Sequence, residues 1–201
     1  MSNVSQKNIR FTTLSLLVSL LLILAYSPLG FINIPPVSIT TMHIPVIIGS
    51  IMLGPIYGAI LGLAFGLISL IKASMGAVGA VNILFSPFAS GAPLYSIIMC
   101  IVPRVLLGII PACLNNTLSK FIKKNTLTTA ISSGIATLCH TILVLGCMYF
   151  FFSGLPFKEI FLTIISLNGS LELLAAIVIA PSIALPLKKL FILSKEEIAT
   201  T

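Results

Sequence analysis

The chain has 201 residues, of which 58% are hydrophobic and only 7% charged, whereas about a quarter of the residues of a soluble domain are charged. With a mean hydropathy of +1.19, this composition excludes an ordinary water-soluble domain and predicts a membrane protein. At about 20 residues per crossing the length allows roughly six helices, and the continuously apolar runs disfavour an outer-membrane barrel.

The first predicted helix covers about residues 10–27, after a short polar start. A basic start, a leucine-rich middle and small residues after it also fit a signal peptide. Ser15 and Ser19 are four residues apart, however, and this spacing is typical of a small-residue packing face on a membrane helix. We therefore expect a first crossing here. Residues 28–40 contain three prolines and a glycine and predict a loop.

The next two predicted helices, about 39–53 and 55–72, form a hairpin joined at Gly54-Pro55. The first of them has only about 15 residues and covers about 22 Å, which is short for a crossing and leaves room for a cavity at one end. The second carries a glycine at every fourth position, which predicts a face for close packing against another helix. These glycines are Gly54, Gly58, Gly62 and Gly66.

Residues 73–92 are rich in glycine, serine and alanine and predict a long ordered loop, a kind of segment that often binds ligands or acts as a lid. Three further helices are predicted at about 93–115, 126–152 and 158–187. The expected fold class is an all-α membrane protein of six transmembrane helices in a single domain.

The basic residues test this count because cytoplasmic loops of membrane proteins carry an excess of lysine and arginine. Six crossings leave only Lys72 and Lys158 on one side, and Arg104 inside a crossing. They place on the other side Lys7, Arg10, Lys120, Lys123, Lys124, Lys188, Lys189 and Lys195. Both termini are therefore predicted to be cytoplasmic, and the long loops 28–40 and 73–92 extracellular. Elaborate outer loops suggest capture of a ligand from outside.

Arg104 and Glu172 are the only charges far inside predicted crossings, and such charges are functional candidates by default. They could pair with each other and lock two helices together. Alternatively, Arg104 could hold a carboxylate or another acceptor-rich ligand. Pro103 cannot donate a helix hydrogen bond, so the Met99 carbonyl is left for a ligand, water or another helix.

Further polar residues are candidate ligand contacts. Asn168 lies one turn before Glu172 and could either join helices or contact a ligand. His43 and Thr41 stand at the outer end of the second helix, where a lone histidine is more often an interfacial hydrogen-bonding residue. Asn82 and Ser86 lie on the second outer loop. His140 and Cys139 have no nearby ligand partners in the sequence, so no metal and no cofactor are expected.

Enzyme classes are disfavoured because the chain has no GxSxG, HExxH, paired acidic motif or phosphate-binding loop. An independent secondary transporter is an alternative, although the halves do not repeat and few carboxylates could couple protons or cations. A binding site without an energy source indicates a subunit of a larger machine.

Three stretches resemble the substrate-binding S component of energy-coupling factor (ECF) vitamin transporters: HIPVIIGSIMLGPIYGAILGLAFGLISL, IVPRVLLGIIPA and NGSLELLAAIVIAPSIALPLKK. The resemblance covers roughly residues 10–190. It implies six helices, an outward-facing vitamin site without catalysis, and a multi-pass protein of the bacterial plasma membrane. It also implies docking on a transmembrane coupling subunit driven by two ATPases, and no binding of nucleic acid.

The family's small-residue contact with the coupling subunit corresponds here to Ser15 and Ser19. The stretch ITTMHIPVIIG is most similar to pantothenate-specific members, and the carboxylate, amide and hydroxyls of pantothenate suit Arg104 with Asn and Thr donors. Riboflavin, folate, pyridoxine and a thiamine precursor are alternative ligands. An arginine and a glutamate at the positions of Arg104 and Glu172 recur in members that handle other vitamins, so this pair could instead be part of the scaffold.

Overall fold

The computed structural model describes residues 2–34, 37–76, 80–152 and 169–200. In chain order the elements are α1 (Ser2–Tyr26), β1 (Phe31–Ile34), β2 (Val37–Thr40), α2 (His43–Leu53), α3 (Pro55–Ser74), α4 (Ala80–Ile83), α5 (Pro93–Leu118), α6 (Asn125–Phe151) and α7 (Ser170–Thr200).

Within the described residues, five helices are long and apolar enough to cross a membrane, which confirms the prediction of a helical multi-pass membrane protein. They are Lys7–Tyr26, Pro55–Ser74, Pro93–Leu118, Asn125–Phe151 and Ser170–Leu190. The count of six crossings and the cytoplasmic termini remain predictions. The first part of the sixth predicted helix, residues 158–168, lies outside the described residues.

Helix α2 is the centre of the bundle. It has 11 residues, so it is only about 16 Å long, and all of them except Met52 are buried. It contacts α1, α3, α5 and α7, and its Val46 and Ile47 are fully buried in the main hydrophobic core. A helix that is apolar on every side, as α2 is, is stable where other helices surround it.

The predicted loop 28–40 contains a β-hairpin. Strands β1 and β2 are antiparallel, with Phe31 opposite Thr40 and Ile34 opposite Val37. The strands are rich in β-branched residues, which favour extended backbone, and this preference is not visible when prolines and glycine are read as loop signals. The hydroxyl of Thr41 donates to the Leu29 carbonyl oxygen at 2.7 Å and ties the base of the hairpin. The second predicted loop, 73–92, contains the short helix α4.

Three of the four spaced glycines form a close contact between α3 and α5. A Cβ added to Gly58 or Gly62 would collide with the carbonyl oxygen of Gly108 or Arg104, respectively. At Gly66 an added Cβ would lie 2.8 Å from the Cys100 carbonyl oxygen. At these three positions the backbone of α3 lies directly on the turns of α5 that carry Arg104.

Gly54 does not take part in this helix contact. This residue connects α2 to α3 with a φ of 102°, and a Cβ added there would meet nothing within 4 Å. A positive φ is readily adopted by glycine and rarely by other residues. Gly54 therefore makes the turn rather than the helix contact.

We expect Gly62→Ala to destabilise the protein, because overpacking a well-packed interface costs about 1–3 kcal/mol. The midpoint of thermal unfolding in detergent should fall. The matched control is Gly146→Ala in α6, where an added Cβ meets nothing within 4 Å. That change should leave the midpoint unchanged or raise it, since alanine favours helix more than glycine does. Equal midpoints for the two variants would contradict the proposed backbone contact.

Candidate functional site

Arg104 is a buried cation in the middle of the bundle, with only 6% of its surface exposed. Its Nη1 donates a hydrogen bond to the Met99 carbonyl oxygen at 2.7 Å. Pro103 has no N–H with which to occupy that carbonyl, so the acceptor freed by proline is taken by the next residue along the chain. The guanidinium is thereby oriented by its own helix. Its Nε has no hydrogen-bond partner among the residues that the structure describes.

Two aromatic rings flank the guanidinium. The carbon at its centre lies 5.5 Å from the centroid of Phe65 in α3 and 5.1 Å from that of Phe85, which follows α4. Cation–π contacts of this kind stabilise a cation away from water. The thiol of Cys100, one turn before Arg104, donates to the Phe85 carbonyl oxygen at 3.4 Å and helps to hold this segment beside α5.

Glu172, at the start of α7, bonds to the hairpin rather than to Arg104. Its Oε1 accepts a hydrogen bond of 2.8 Å from the backbone N–H of Thr40. In the described part of the chain no ion pair within 4.0 Å joins Glu172 to Arg104, although the two charges interact electrostatically over a longer distance. The interpretation of a locked salt bridge therefore does not match this geometry.

His43 closes the same network. It is 2% exposed, and its ring nitrogens lie 2.7 Å from the Thr40 carbonyl oxygen and 3.2 Å from the Glu172 carbonyl oxygen. Both neighbours are acceptors. Because a neutral imidazole has one N–H to donate, it can hydrogen-bond to only one of them at a time. The ring joins the first turn of α2 to the hairpin and to α7. It is thus a bridging residue, as a lone histidine at a helix end often is.

The other predicted contacts lie in the loops or outside the described residues. Thr41 ties the base of the hairpin, as described above. Ser86 is buried, and its hydroxyl accepts from the Ala89 N–H at 3.3 Å, so it shapes the loop before α5. Asn82 lies in α4, where its backbone carbonyl oxygen accepts from the Phe85 N–H at 3.2 Å. Asn168 lies outside the described residues.

The predicted contact surface on α1 is exposed. Ser15 and Ser19 both lie on the side of the helix that faces away from the buried Leu14, Leu17 and Leu21. The Ser19 hydroxyl donates to the Ser15 carbonyl oxygen at 2.9 Å, so it needs no partner on another helix. This leaves a smooth strip of small side chains between exposed apolar residues.

Sequence reasoning did not identify Phe65, Phe85, His140 or the backbone of Thr40 as parts of this site. His140 is buried in α6, with its ring centroid 6.4 Å from that of Phe65, and it interacts electrostatically with Arg104. Within the described residues no group of three or more histidine, cysteine or acidic side chains could hold a metal ion.

The arrangement is suited to binding an anion without reacting with it. It presents one oriented cation whose Nε donor is unpaired among the described residues, and two phenylalanine rings that contact this cation. A hairpin is hydrogen-bonded to the starts of α2 and α7. The guanidinium fork matches the geometry of a carboxylate better than a point charge would. The described side chains around it include no arrangement for nucleophilic or acid–base catalysis.

Over most of its length the chain is similar to known proteins. The family model described as ECF transporter, substrate-specific component, matches residues 10–193. The chain is 34% identical over 163 residues to the pantothenic acid transporter PanT of Lactococcus lactis subsp. cremoris, a match that covers 77% of this chain and 80% of that protein.

The network around Thr40 leads to a test of what Glu172 does. Glu172→Ala removes the acceptor of the Thr40 N–H, and hydrogen bonds to charged groups contribute about 1.5–3 kcal/mol. Amide exchange at Thr40 should therefore become about tenfold faster or more. Glu172→Gln keeps a carbonyl oxygen in place and should have a smaller effect. Hydrogen–deuterium exchange of the segment 37–42 measures this, and unchanged exchange in the alanine variant would contradict the contact.

Proposed function

Since the chain belongs to the substrate-specific components of ECF transporters, we propose that it captures pantothenate outside the cell and delivers it through a coupling subunit and two ATPases. Its role is binding and presentation, without catalysis. The observation that carries the choice of ligand is the buried, oriented Arg104, whose Nε is unpartnered among the described residues.

The identity to a pantothenic acid transporter supports this ligand, since 34% identity extends over most of both chains. Pantothenate combines one carboxylate with an amide and two hydroxyls. Those groups require a cation and several uncharged hydrogen-bonding partners in one site. Pantothenate also has no ring, and the two phenylalanine rings described at the site, Phe65 and Phe85, already contact Arg104.

The contacts of Arg104 favour carboxylate binding for energetic reasons. A buried cation without a counter-ion is costly, and rings and one carbonyl compensate it only in part. A ligand carboxylate would supply the missing negative charge. Because Nη1 is fixed on Met99, the Nε side of the fork is already oriented, and little side-chain entropy remains to be lost on binding.

Delivery requires a surface that meets the coupling subunit. The exposed strip at Ser15 and Ser19 is small enough for another helix to approach closely, and its hydroxyls are already bonded or exposed. Most other exposed side chains of α1 from Phe11 to Tyr26 are apolar and suited to lipid. We therefore assign docking to this strip.

We expect Arg104→Gln to weaken pantothenate binding about 30-fold or more, since truncating one partner of a buried charge pair costs about 2–5 kcal/mol. Isothermal titration calorimetry on the purified protein measures this. Pantothenol, in which an alcohol replaces the carboxylate, should bind wild type more weakly than pantothenate does. The arginine variant should bind the two ligands about equally, because it has lost the group that distinguishes them.

The matched control is Arg10→Gln, which removes an exposed arginine from α1 and should not change affinity. Thermal unfolding checks that the Arg104 variant is folded. An arginine variant that still prefers pantothenate over pantothenol would contradict the role of Arg104. Tight binding of riboflavin, folate, pyridoxine or a thiamine precursor, with none of pantothenate, would contradict the choice of ligand.

The docking strip gives a separate prediction. Ser15→Leu combined with Ser19→Leu should leave pantothenate affinity unchanged and abolish ATP-driven uptake in proteoliposomes that contain the coupling subunit and ATPases, because two large side chains prevent close approach. Ser182→Leu in α7, an exposed serine with the same bond to the preceding turn, should preserve uptake. Loss of binding in the double variant would place α1 at the ligand instead, and uptake by the chain alone would argue against a subunit.

A further inference from the structure

Three buried side-chain atoms lack a hydrogen-bond partner within the described part of the chain: Ser69 Oγ, Arg104 Nε and His140 Nε2. Buried polar groups in native proteins are almost always paired, so each exception needs an explanation. Other buried hydroxyls here are paired in the simplest way. Those of Ser132, Ser133 and Thr137, for example, each donate to the carbonyl of the preceding turn.

The three exceptions are not scattered, because all of them surround Phe65. The Arg104 guanidinium lies over the Phe65 ring, and the His140 ring is its neighbour at 6.4 Å between centroids. Ser69 follows Phe65 by one helical turn on the same helix. The residues that carry the unpaired atoms thus come from α3, α5 and α6, two of them beside the Phe65 ring and the third one helical turn along from it.

The direction of Ser69 follows from the glycine contact. Gly62, Gly66 and Ser69 are spaced i, i+4 and i+7, so they lie on one stripe of α3. Both glycines of that stripe press on the backbone of α5, at Arg104 and Cys100. Ser69 is 5% exposed and continues this stripe toward the end of α3 that lies nearest the loop before α5. Ser69 therefore lies on the side of α3 that packs against α5.

We infer that Ser69 and His140 complete the ligand site around Arg104 by hydrogen-bonding the uncharged polar groups of the ligand. The chemistry of the three residues is complementary. A guanidinium only donates and suits a carboxylate, whereas a hydroxyl and a neutral imidazole each donate and accept, as ligand hydroxyls and amides do. This inference rests on the proposed function, because it takes pantothenate as the ligand.

The test combines ligand affinity with the stability of the ligand-free protein, because the two respond in opposite directions. Ser69→Ala and His140→Leu should each weaken pantothenate binding about 2- to 10-fold, the loss expected for one neutral hydrogen bond. Each should leave the unfolding temperature of the ligand-free protein unchanged or raise it, since an unpaired buried group has been removed. A residue that only supports the fold would give the reverse pattern.

Two variants make the comparison specific. Ser132→Ala removes a buried hydroxyl that is already paired with the Thr128 carbonyl oxygen, so it should lower stability slightly and leave affinity unchanged. His140→Gln keeps a polar group near the position of Nε2 and should retain more affinity than His140→Leu. Pantothenol should lose as much affinity as pantothenate in the Ser69 and His140 variants, because the contacted groups are not the carboxylate.

The outcomes separate this inference from the proposed function. If Arg104→Gln loses pantothenate while Ser69→Ala and His140→Leu bind as wild type does, the function stands and the inference is wrong, with water as the partner of these atoms. Lower stability with unchanged affinity would likewise overturn it by assigning them to the fold. Failure of the wild-type protein to bind pantothenate would overturn the function and the inference together.

Discussion

The contact of α3 with α5 is the constraint on which the rest of this structure depends. Three glycines leave α3 without a Cβ at the contact points, so its backbone lies directly on the carbonyl groups of Gly108, Arg104 and Cys100. In lipid, where apolar side chains gain little by leaving their solvent, such close packing is a main source of helix association. It also fixes Phe65 and Arg104 relative to each other, because they are carried by the two helices in contact. The site is therefore as rigid as the helix pair that holds it.

Most polar groups in this bundle are satisfied locally, and this makes the unsatisfied ones informative. Several serines and threonines of α6 bond to their own helix. The Glu172 carboxylate accepts from the Thr40 N–H of the hairpin, and the His43 ring lies between the Thr40 and Glu172 carbonyl oxygens. A membrane interior offers no water to hydrogen-bond a polar group that lacks a protein partner, so polar groups there usually pair within the protein. Against this background the unpaired atoms around Phe65 stand out as a group that differs from the rest of the interior.

Much of this could be predicted from the sequence, and the exceptions have identifiable causes. Continuous apolar runs indicated the helices, and a glycine at every fourth residue indicated the face of α3 that packs closely. Gly54 was expected both at the joint of the hairpin and on the packing face of α3, because glycine spacing alone does not distinguish the two roles. The sequence indicated that Pro103 leaves the Met99 carbonyl without its usual helix partner. It could not indicate that Arg104 takes that place, because this depends on the rotamer of the arginine. Backbone donors such as that of Thr40, and the absence of partners for Ser69 and His140, exist only in three dimensions.

The contacts of Arg104 also bear on how the chain is assembled. An arginine at the middle of a membrane helix is unfavourable by about 2.5–3.5 kcal/mol during insertion by the translocon. In the described part of the chain this guanidinium contacts Phe65, Phe85 and Met99. All three precede it in the chain, whereas Glu172 comes much later. When α5 leaves the ribosome, the three groups that contact its guanidinium in the described part of the chain have already been synthesised. The helix can therefore enter the bilayer in the order of translation, without waiting for the acidic residue at the other end of the protein.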